Sequence, residues 1–203
     1  DLAQAGPGQI GQIVHGTTLV TNALIGRKGA KTGLLTTKGF RDAIQIAREH
    51  RYDLYDLFID LPEPLVPRYL RLELTERVFS DGSIQIPVDP AEVEAKIAEL
   101  QAAGVEAVAV SLLHSYQNPE PERLVGEVLE AVAPDLVFSL SSDVVPEIRE
   151  YERTSTTIAN VYARPVVAEY LDRLARSLVD LGIRAPLYVM ISSGGLSTIE
   201  TAR

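Results

Sequence analysis

Asp89-Pro90-Ala91-Glu92-Val93-Glu94-Ala95-Lys96-Ile97-Ala98-Glu99-Leu100, followed after Gly104 by Val105-Glu106-Ala107-Val108-Ala109-Val110-Ser111-Leu112-Leu113, is the stretch whose reading decides the fold. Asp89 is an N-cap residue, and Pro90 suits the first helical turn, where its missing N–H leaves no bond unmade. Glu92 stands three residues after Asp89, the spacing of a capping box. Val93, Ile97 and Leu100 recur at helical spacing as one apolar stripe, and Gly104 ends the helix. The aliphatic run that follows is too continuous for a strand with one wet face, so it predicts a strand buried on both sides. The order then repeats. Asn118-Pro119 opens a helix with Leu124, Val128 and Leu129 inward, and Leu136 to Leu140 is the next strand. Helix followed by strand, twice over, builds a layered α/β sheet.

Outward from this stretch the alternation continues. Gln12 to His15 reads as a strand, Thr18 to Gly26 as a helix, Thr32 to Thr36 as a strand and Phe40 to Arg48 as a helix. Pro62, Pro64 and Pro67, with Tyr52, Tyr55 and Phe58, predict an irregular connection from His50 to Arg68. Leu70, Leu72 and Leu74 alternate with polar residues, as do Ile84, Ile86 and Val88 after the Asp81-Gly82 turn, which predicts a hairpin with one buried face. Pro146 to Leu181 is helical but holds Pro165, so a kink or two abutting helices are expected there. Leu187 to Ile191 reads as a strand, and Ser192-Ser193-Gly194-Gly195 as a sharp turn into a last helix near Ser197. The domain boundary is expected between Ser141 and Pro146, which gives domains 1–145 and 146–203.

Composition excludes several classes of function. A chain of 203 residues with 46% hydrophobic and 23% charged residues can bury a sizeable core. Its net charge is −9, and no segment gathers Lys and Arg among aromatics, so a nucleic-acid surface has no support. Zero cysteines exclude disulfides, thiolate metal sites and a cysteine nucleophile, and fit a reducing cytoplasm. No apolar run approaches the roughly 18 to 20 residues that span a bilayer.

The chemistry concentrates in His15-Gly16-Thr17-Thr18-Leu19-Val20-Thr21-Asn22-Ala23-Leu24-Ile25. Gly16 permits close backbone approach, Thr17 and Thr18 offer hydroxyls, and a helix start offers N–H groups, a combination suited to an oxyanion, carboxylate or amide. The plainer alternative is that these residues only cap the helix. His15 is a candidate to orient a carbonyl or move a proton, against a structural hydrogen-bonding role. Ser192, Ser193, Gly194 and Gly195 form a turn whose N–H groups suit an anion, against a plain strand-to-helix turn. His50 and His114 have no companion at metal spacing, so no metal ligand is expected. Arg149, Glu150, Glu152 and Arg153 stand at i,i+3 and i,i+4 spacing, which predicts a solvated charged face.

Read in order, His15-Gly16-Thr17-Thr18, Thr21-Asn22-Ala23-Leu24, Gly29-Ala30-Lys31-Thr32, Thr36-Thr37-Lys38-Gly39-Phe40-Arg41-Asp42, Tyr52-Asp53-Leu54-Tyr55-Asp56-Leu57, His114-Ser115-Tyr116-Gln117-Asn118-Pro119, the run Ser141 to Thr154 and Ser192-Ser193-Gly194-Gly195-Leu196 resemble blocks of the hydantoinase A/5-oxoprolinase family. That family takes in N-methylhydantoinase and acetone carboxylase beta-like chains, and the resemblance runs from about Gly11 to Arg203. Two positions depart from it. Ile191-Ser192-Ser193-Gly194-Gly195 stands where the family reads Gln-Ser-Asn-Gly-Gly, and Pro121 stands where relatives carry His.

The resemblance implies a partial actin-like (ribonuclease H-like) ATPase fold, in which two α/β halves close on nucleotide and each supplies a Gly- and Thr-rich phosphate hairpin with an Asp for the metal. Neither hairpin occurs in these residues, so the chain reads as an internal fragment that does not hydrolyse ATP by itself. ATP and Mg²⁺ are implied for the full-length protein, with none bound to the fragment. The implied activity is ATP-dependent opening of a cyclic amide, a hydantoin or 5-oxoproline, through phosphorylation of the amide oxygen. The alternatives are an ATP-dependent ketone carboxylase subunit and a non-catalytic α/β module that binds an anion or a partner. The implied partners are the cyclic amide and a hydantoinase B-like subunit or domain in a cytoplasmic oligomer, with no nucleic acid and no membrane. The implied site takes His15 as catalytic, and Gly16, Thr17, Thr18, Thr21, Asn22, Ser192, Ser193, Gly194 and Gly195 for substrate or phosphate. On the same resemblance, Arg153 and Thr154 fall at the hinge between halves.

Overall fold

The computed structural model describes residues 6–50, 53, 55–191 and 194–202. In chain order it forms β1 (Ile13–His15), α1 (Leu19–Ile25), β2 (Thr32–Thr37), α2 (Ala43–Ile46), β3 (Arg71–Leu74), β4 (Arg77–Val78), β5 (Ile84–Ile86), α3 (Pro90–Ala102), β6 (Ala107–Ser111), α4 (Glu120–Val132), β7 (Val137–Leu140), α5 (Ser141–Val144), α6 (Glu150–Asp180), β8 (Leu187–Met190), β9 (Leu196–Thr198) and α7 (Ile199–Ala202). The mixed α/β class expected from the helix and strand alternation is the one observed. The chain divides into two compact units, one made of Asp1–Gly29 with Ala163–Arg203, the other of Ala30–Tyr162. Residues 141–146, where a boundary was expected, lie inside the second.

The second unit is built on a parallel sheet in the order β3-β2-β6-β7, with Leu34 opposite both Arg71 and Ala109, and Ala109 opposite Ser139. The two central strands are buried along their whole length, as their unbroken aliphatic and small residues require. Val93, Ile97 and Leu100 of α3 and Val125 and Leu129 of α4 join these strands in one apolar core. Asp89 accepts the Ala91 N–H at 3.0 Å, as an N-cap does. Glu92 does not close the expected capping box. Its carboxylate takes the Thr75 N–H at 2.9 Å and the Thr75 hydroxyl at 3.1 Å, tying α3 to the end of β3 instead.

Two expectations in this unit are corrected. The strand at 71–74 pairs in parallel with β2, and the hairpin through Asp81-Gly82 joins only β4 to β5, whose residues are exposed. Period-two alternation reports a strand but not its partner, and Arg71, read as outward, is buried with its Nε donating to the Val66 carbonyl. The helix expected over 40–48 is the four-residue α2, stopped where Ala47 turns to φ +52.

The first unit holds a three-stranded sheet in the order β1-β8-β9. β1 and β8 are parallel, with Ile13 opposite Leu187 and His15 opposite Val189, and β9 returns antiparallel with Met190 opposite Leu196. The chain thus passes from the glycine turn into a strand, and the last helix begins at Ile199 rather than near Ser197. Gly194, at φ +91, makes the reversal possible, and Ile191 and Gly195 close it with a 3.0 Å hydrogen bond from the Ile191 N–H. α6 runs as one helix through Pro165 in place of two abutting helices. One turn before the proline, the Tyr162 carbonyl takes a donor from outside the helix, the Ala30 N–H at 3.0 Å.

Candidate functional site

In the first unit the parallel pairing of β1 with β8 sets the geometry. Because His15 lies opposite Val189, the loop leaving β1 (Gly16 to Thr18) and the described residues between β8 and β9 (Ile191, Gly194 and Gly195) stand at the same carboxyl edge. Open α/β sheets bind ligands outside that edge. The fold therefore brings His15, Gly16, Thr17 and Thr18 to the same sheet end as Gly194 and Gly195. Ser192 and Ser193 lie outside the described residues.

Each side chain there has a definite task. His15 is half-buried, with Nε2 at 3.0 Å from the Tyr170 hydroxyl and its ring centroid 5.5 Å from that of Tyr170. The Arg173 guanidinium stands 6.0 Å over the same tyrosine ring. Thr17 accepts the Leu19 N–H at 3.1 Å, which closes the start of α1. Thr18 occupies the N-cap position without a side-chain cap bond, and its Oγ1 instead accepts Asn22 Nδ2–H at 3.3 Å. Thr18, Thr21 and Asn22 are exposed. α1 is only seven residues long, so the loop's hydroxyls and backbone, not a helix terminus, are what it offers a ligand. Tyr170 is the residue that sequence reading missed. It lies 155 positions from His15 on an ordinary-looking helix face, so no local pattern marks it.

In the second unit a buried polar cluster gathers at the carboxyl ends of β2, β6 and β7. Thr37 accepts the Leu113 N–H at 2.8 Å and donates to Glu76, and the Thr36 hydroxyl donates to the Ser111 carbonyl at 2.8 Å. Glu122, fully buried, accepts the Leu112 N–H at 2.8 Å, the Ser141 hydroxyl at 2.6 Å and the Ser142 N–H at 2.8 Å. Ser141 meets Ser115 at 3.0 Å, and Ser115 accepts a hydrogen bond from Arg153. Ser111 and Thr154 share a 2.8 Å hydrogen bond. Burial pushes the Glu76 carboxyl above its ordinary range and the Arg153 guanidinium below its own, since both charges have left water.

Arg153 thus corrects the expected solvated face, for it is only 1% exposed. At that helix start the half-buried Glu152 carboxylate meets the exposed Arg48 at 2.8 Å and the exposed Arg149 at 3.7 Å. His114, at φ +58, uses Nδ1 on the Val78 carbonyl at 2.8 Å, and Asn118 donates to the Gly82 carbonyl at 2.9 Å, so the His114–Asn118 segment clamps the β4–β5 hairpin. Among the described residues no group of three or more His, Cys, Asp or Glu could hold a metal ion.

Comparison with known proteins places these features in context. Residues 2–133 match the model of the hydantoinase/oxoprolinase N-terminal region, and residues 153–203 match that of hydantoinase/oxoprolinase. A protein of Methanocaldococcus jannaschii is 41% identical over 198 residues, 96% of this chain and 29% of its own length. The caprolactamase alpha subunit of Pseudomonas jessenii is 39% identical over 91% of this chain and 27% of its own. The crystal structure of that organism's ATP-dependent caprolactamase superposes with a TM-score of 0.89 at 37% identity, covering 95% of this chain and 28% of that one. The nucleotide-free structure of acetone carboxylase superposes with a TM-score of 0.77 at 30% identity, covering 95% and 29%. The chain spans less than a third of the length of the curated relatives it matches.

Proposed function

The chain belongs to the hydantoinase/oxoprolinase family, and from that membership we propose that it is an internal part of a subunit that opens a cyclic amide at the expense of ATP. The carrying observation is the meeting, at one carboxyl edge, of the His15–Thr18 loop with the Gly194-Gly195 turn. Likeness to an ATP-dependent caprolactamase supports the amide. In this reading the γ-phosphoryl group goes to the amide oxygen. That converts a poor electrophile into one that water can attack at carbon: the first water expels the ring nitrogen as an amine and leaves an acyl phosphate, and a second water, again at carbon, releases phosphate. His15 orients the carbonyl or moves the proton, and Gly16, Thr17, Thr18, Thr21, Asn22, Ser192, Ser193, Gly194 and Gly195 hold the substrate or the phosphate. Thr17 already serves α1, so Thr18 with Asn22 is the pair we assign first to the ligand.

We place the boundary between the two halves of an actin-like nucleotide fold at 145/146, between the segments that the two family models match. The phosphate hairpins, and with them the residues that would hold Mg²⁺, are assigned outside these 203 residues, since no group among the described residues could hold a metal ion. A hydantoinase B-like partner is supported by the similar caprolactamase chain being a subunit alpha. No helix among the described residues is long and apolar enough to cross a membrane, and we assign the protein to the cytoplasm. Likeness to acetone carboxylase supports a second reading, ATP-dependent activation of a ketone. The test is ATP hydrolysis by the full-length protein with its partner, run against hydantoin, 5-oxoproline, caprolactam and acetone with bicarbonate. Stimulation by a cyclic amide is expected, and stimulation by the ketone alone would select the second reading.

A further inference from the structure

Tyr55, Leu57 and Phe58 are 92%, 87% and 90% exposed, the three most exposed large apolar side chains among the described residues, and they stand within four consecutive positions. Single exposed apolar residues are ordinary, but a contiguous group marks a surface that another molecule covers. The segment holds its own shape. Asp53 Oδ1 accepts the Tyr55 N–H at 3.0 Å and Asp56 Oδ1 accepts the Phe58 N–H at 2.9 Å, two successive Asx turns that fix the backbone beneath the exposed side chains. Leu61, also exposed, continues the face into a cleft of about 980 Å³, walled further by Ile46, Pro62, Leu65 and Ile158. Knob and hollow therefore adjoin at Leu61.

Charge decides what covers this face. From residue 53 to residue 67 the sequence holds Asp53, Asp56, Asp60 and Glu63 and no Lys or Arg, on a chain of net charge −9. A second copy would bring the same carboxylates face to face, because a two-fold interface sets a patch against itself. A core within the subunit's own chain would have to bury a carboxylate at every third or fourth position. An apolar pocket on a different protein, rimmed by Lys and Arg, meets the rings and the carboxylates together, as interfaces with an apolar centre and a polar rim do. We propose that residues 55–61 and the adjoining cleft dock the hydantoinase B-like subunit, with Tyr55 and Phe58 as the anchors that enter its pocket and the cleft receiving an apolar side chain in return. The turns leave little ordering to be done on association. The proposal rests on the reading of the protein as one subunit of such an assembly.

The test mixes the purified full-length protein with the purified hydantoinase B-like subunit and measures Kd by sedimentation, together with hydrogen exchange of segment 55–61. Exchange is expected to be fast in the full-length protein alone and to slow on adding the partner. Phe58→Ser and Tyr55→Ser, both at exposed positions, should each weaken association about tenfold or more. Asp56→Asn with Asp60→Asn keeps the turn acceptor, removes two charges, and should flatten the fall of affinity with added salt. Protection already present in dilute full-length protein would assign the face to its own chain, and protection rising with that protein's concentration alone would assign it to a second copy; either overturns the proposal. So does a complex that forms without protecting the segment, a set of variants that bind as wild type does, or the absence of association. The cyclic-amide reading fails separately, if the wild-type proteins together open none of hydantoin, 5-oxoproline and caprolactam.

Discussion

The Tyr170 hydroxyl lies 3.0 Å from His15 Nε2, so a residue of α6 holds the imidazole that ends β1. With Nε2 engaged, Nδ1 is the ring atom left to face a ligand. Tyr170→Phe keeps the ring contact and removes the hydroxyl. The expected result is a fall of about tenfold or more in kcat/KM of the full-length protein, with a stability loss of about 1 kcal/mol or less for one half-buried hydrogen bond. Steady-state kinetics beside thermal unfolding separate the two. An unchanged kcat/KM would remove His15 from the catalytic assignment.

Thr18 is exposed, and its hydroxyl is held by Asn22 rather than spent on capping α1. Thr18→Val conserves volume and deletes that oxygen. Activity should drop while the melting temperature stays near that of wild type. A kcat/KM within about twofold of wild type would show that this hydroxyl meets neither substrate nor phosphate.

Gly33 sits in the central strand β2 against Leu100 of α3. A Cβ there would stand 2.7 Å from Leu100 Cδ2, closer than packed carbons tolerate, and Leu100 is itself buried. Gly33→Ala should destabilise by about 1–3 kcal/mol through overpacking. Chemical denaturation measures it, and a neutral substitution would mean that α3 can move off the sheet freely.

Burial raises the Glu76 carboxyl above its ordinary value of 4.5, against the opposing hydrogen bond from Thr37. With the folded value above the unfolded one, its contribution to stability is full below the unfolded value and is lost as pH rises through the folded value. Glu76→Gln cannot ionise, so its melting temperature relative to wild type should rise between about pH 4 and about pH 8. The same difference at both ends would mean that Glu76 ionises in the fold as it does in water.

The central sheet was legible because each of its buried strands carries its own signal. Ala107 to Ser111 and Thr32 to Thr37 are apolar or small throughout, and Asp89-Pro90 marks a helix start with no help from tertiary structure. Partners were less legible. Nothing in Leu70-Arg71-Leu72-Glu73-Leu74 says that its neighbour is β2 rather than the strand after the next turn. The glycines at 194 and 195 mark a turn without telling whether a helix or a strand follows. For the candidate site, the loop at His15 to Asn22 stands out in the sequence because its small and polar residues are contiguous. Tyr170 was not, and neither was the burial of Arg153, whose i,i+3 and i,i+4 charged neighbours look like those of any wet helix.

The most direct measurement of the central claim follows the amide oxygen. A cyclic amide labelled with ¹⁸O at its carbonyl is given to the full-length protein with ATP, and the inorganic phosphate formed is analysed by mass. If the γ-phosphoryl group is transferred to that oxygen and water then attacks carbon, the label leaves on phosphate, and ring-opened product and labelled phosphate accumulate together. Ring opening that yields unlabelled phosphate, with the label kept in the ring-opened carboxylate, would contradict phosphorylation of the amide oxygen followed by attack at carbon.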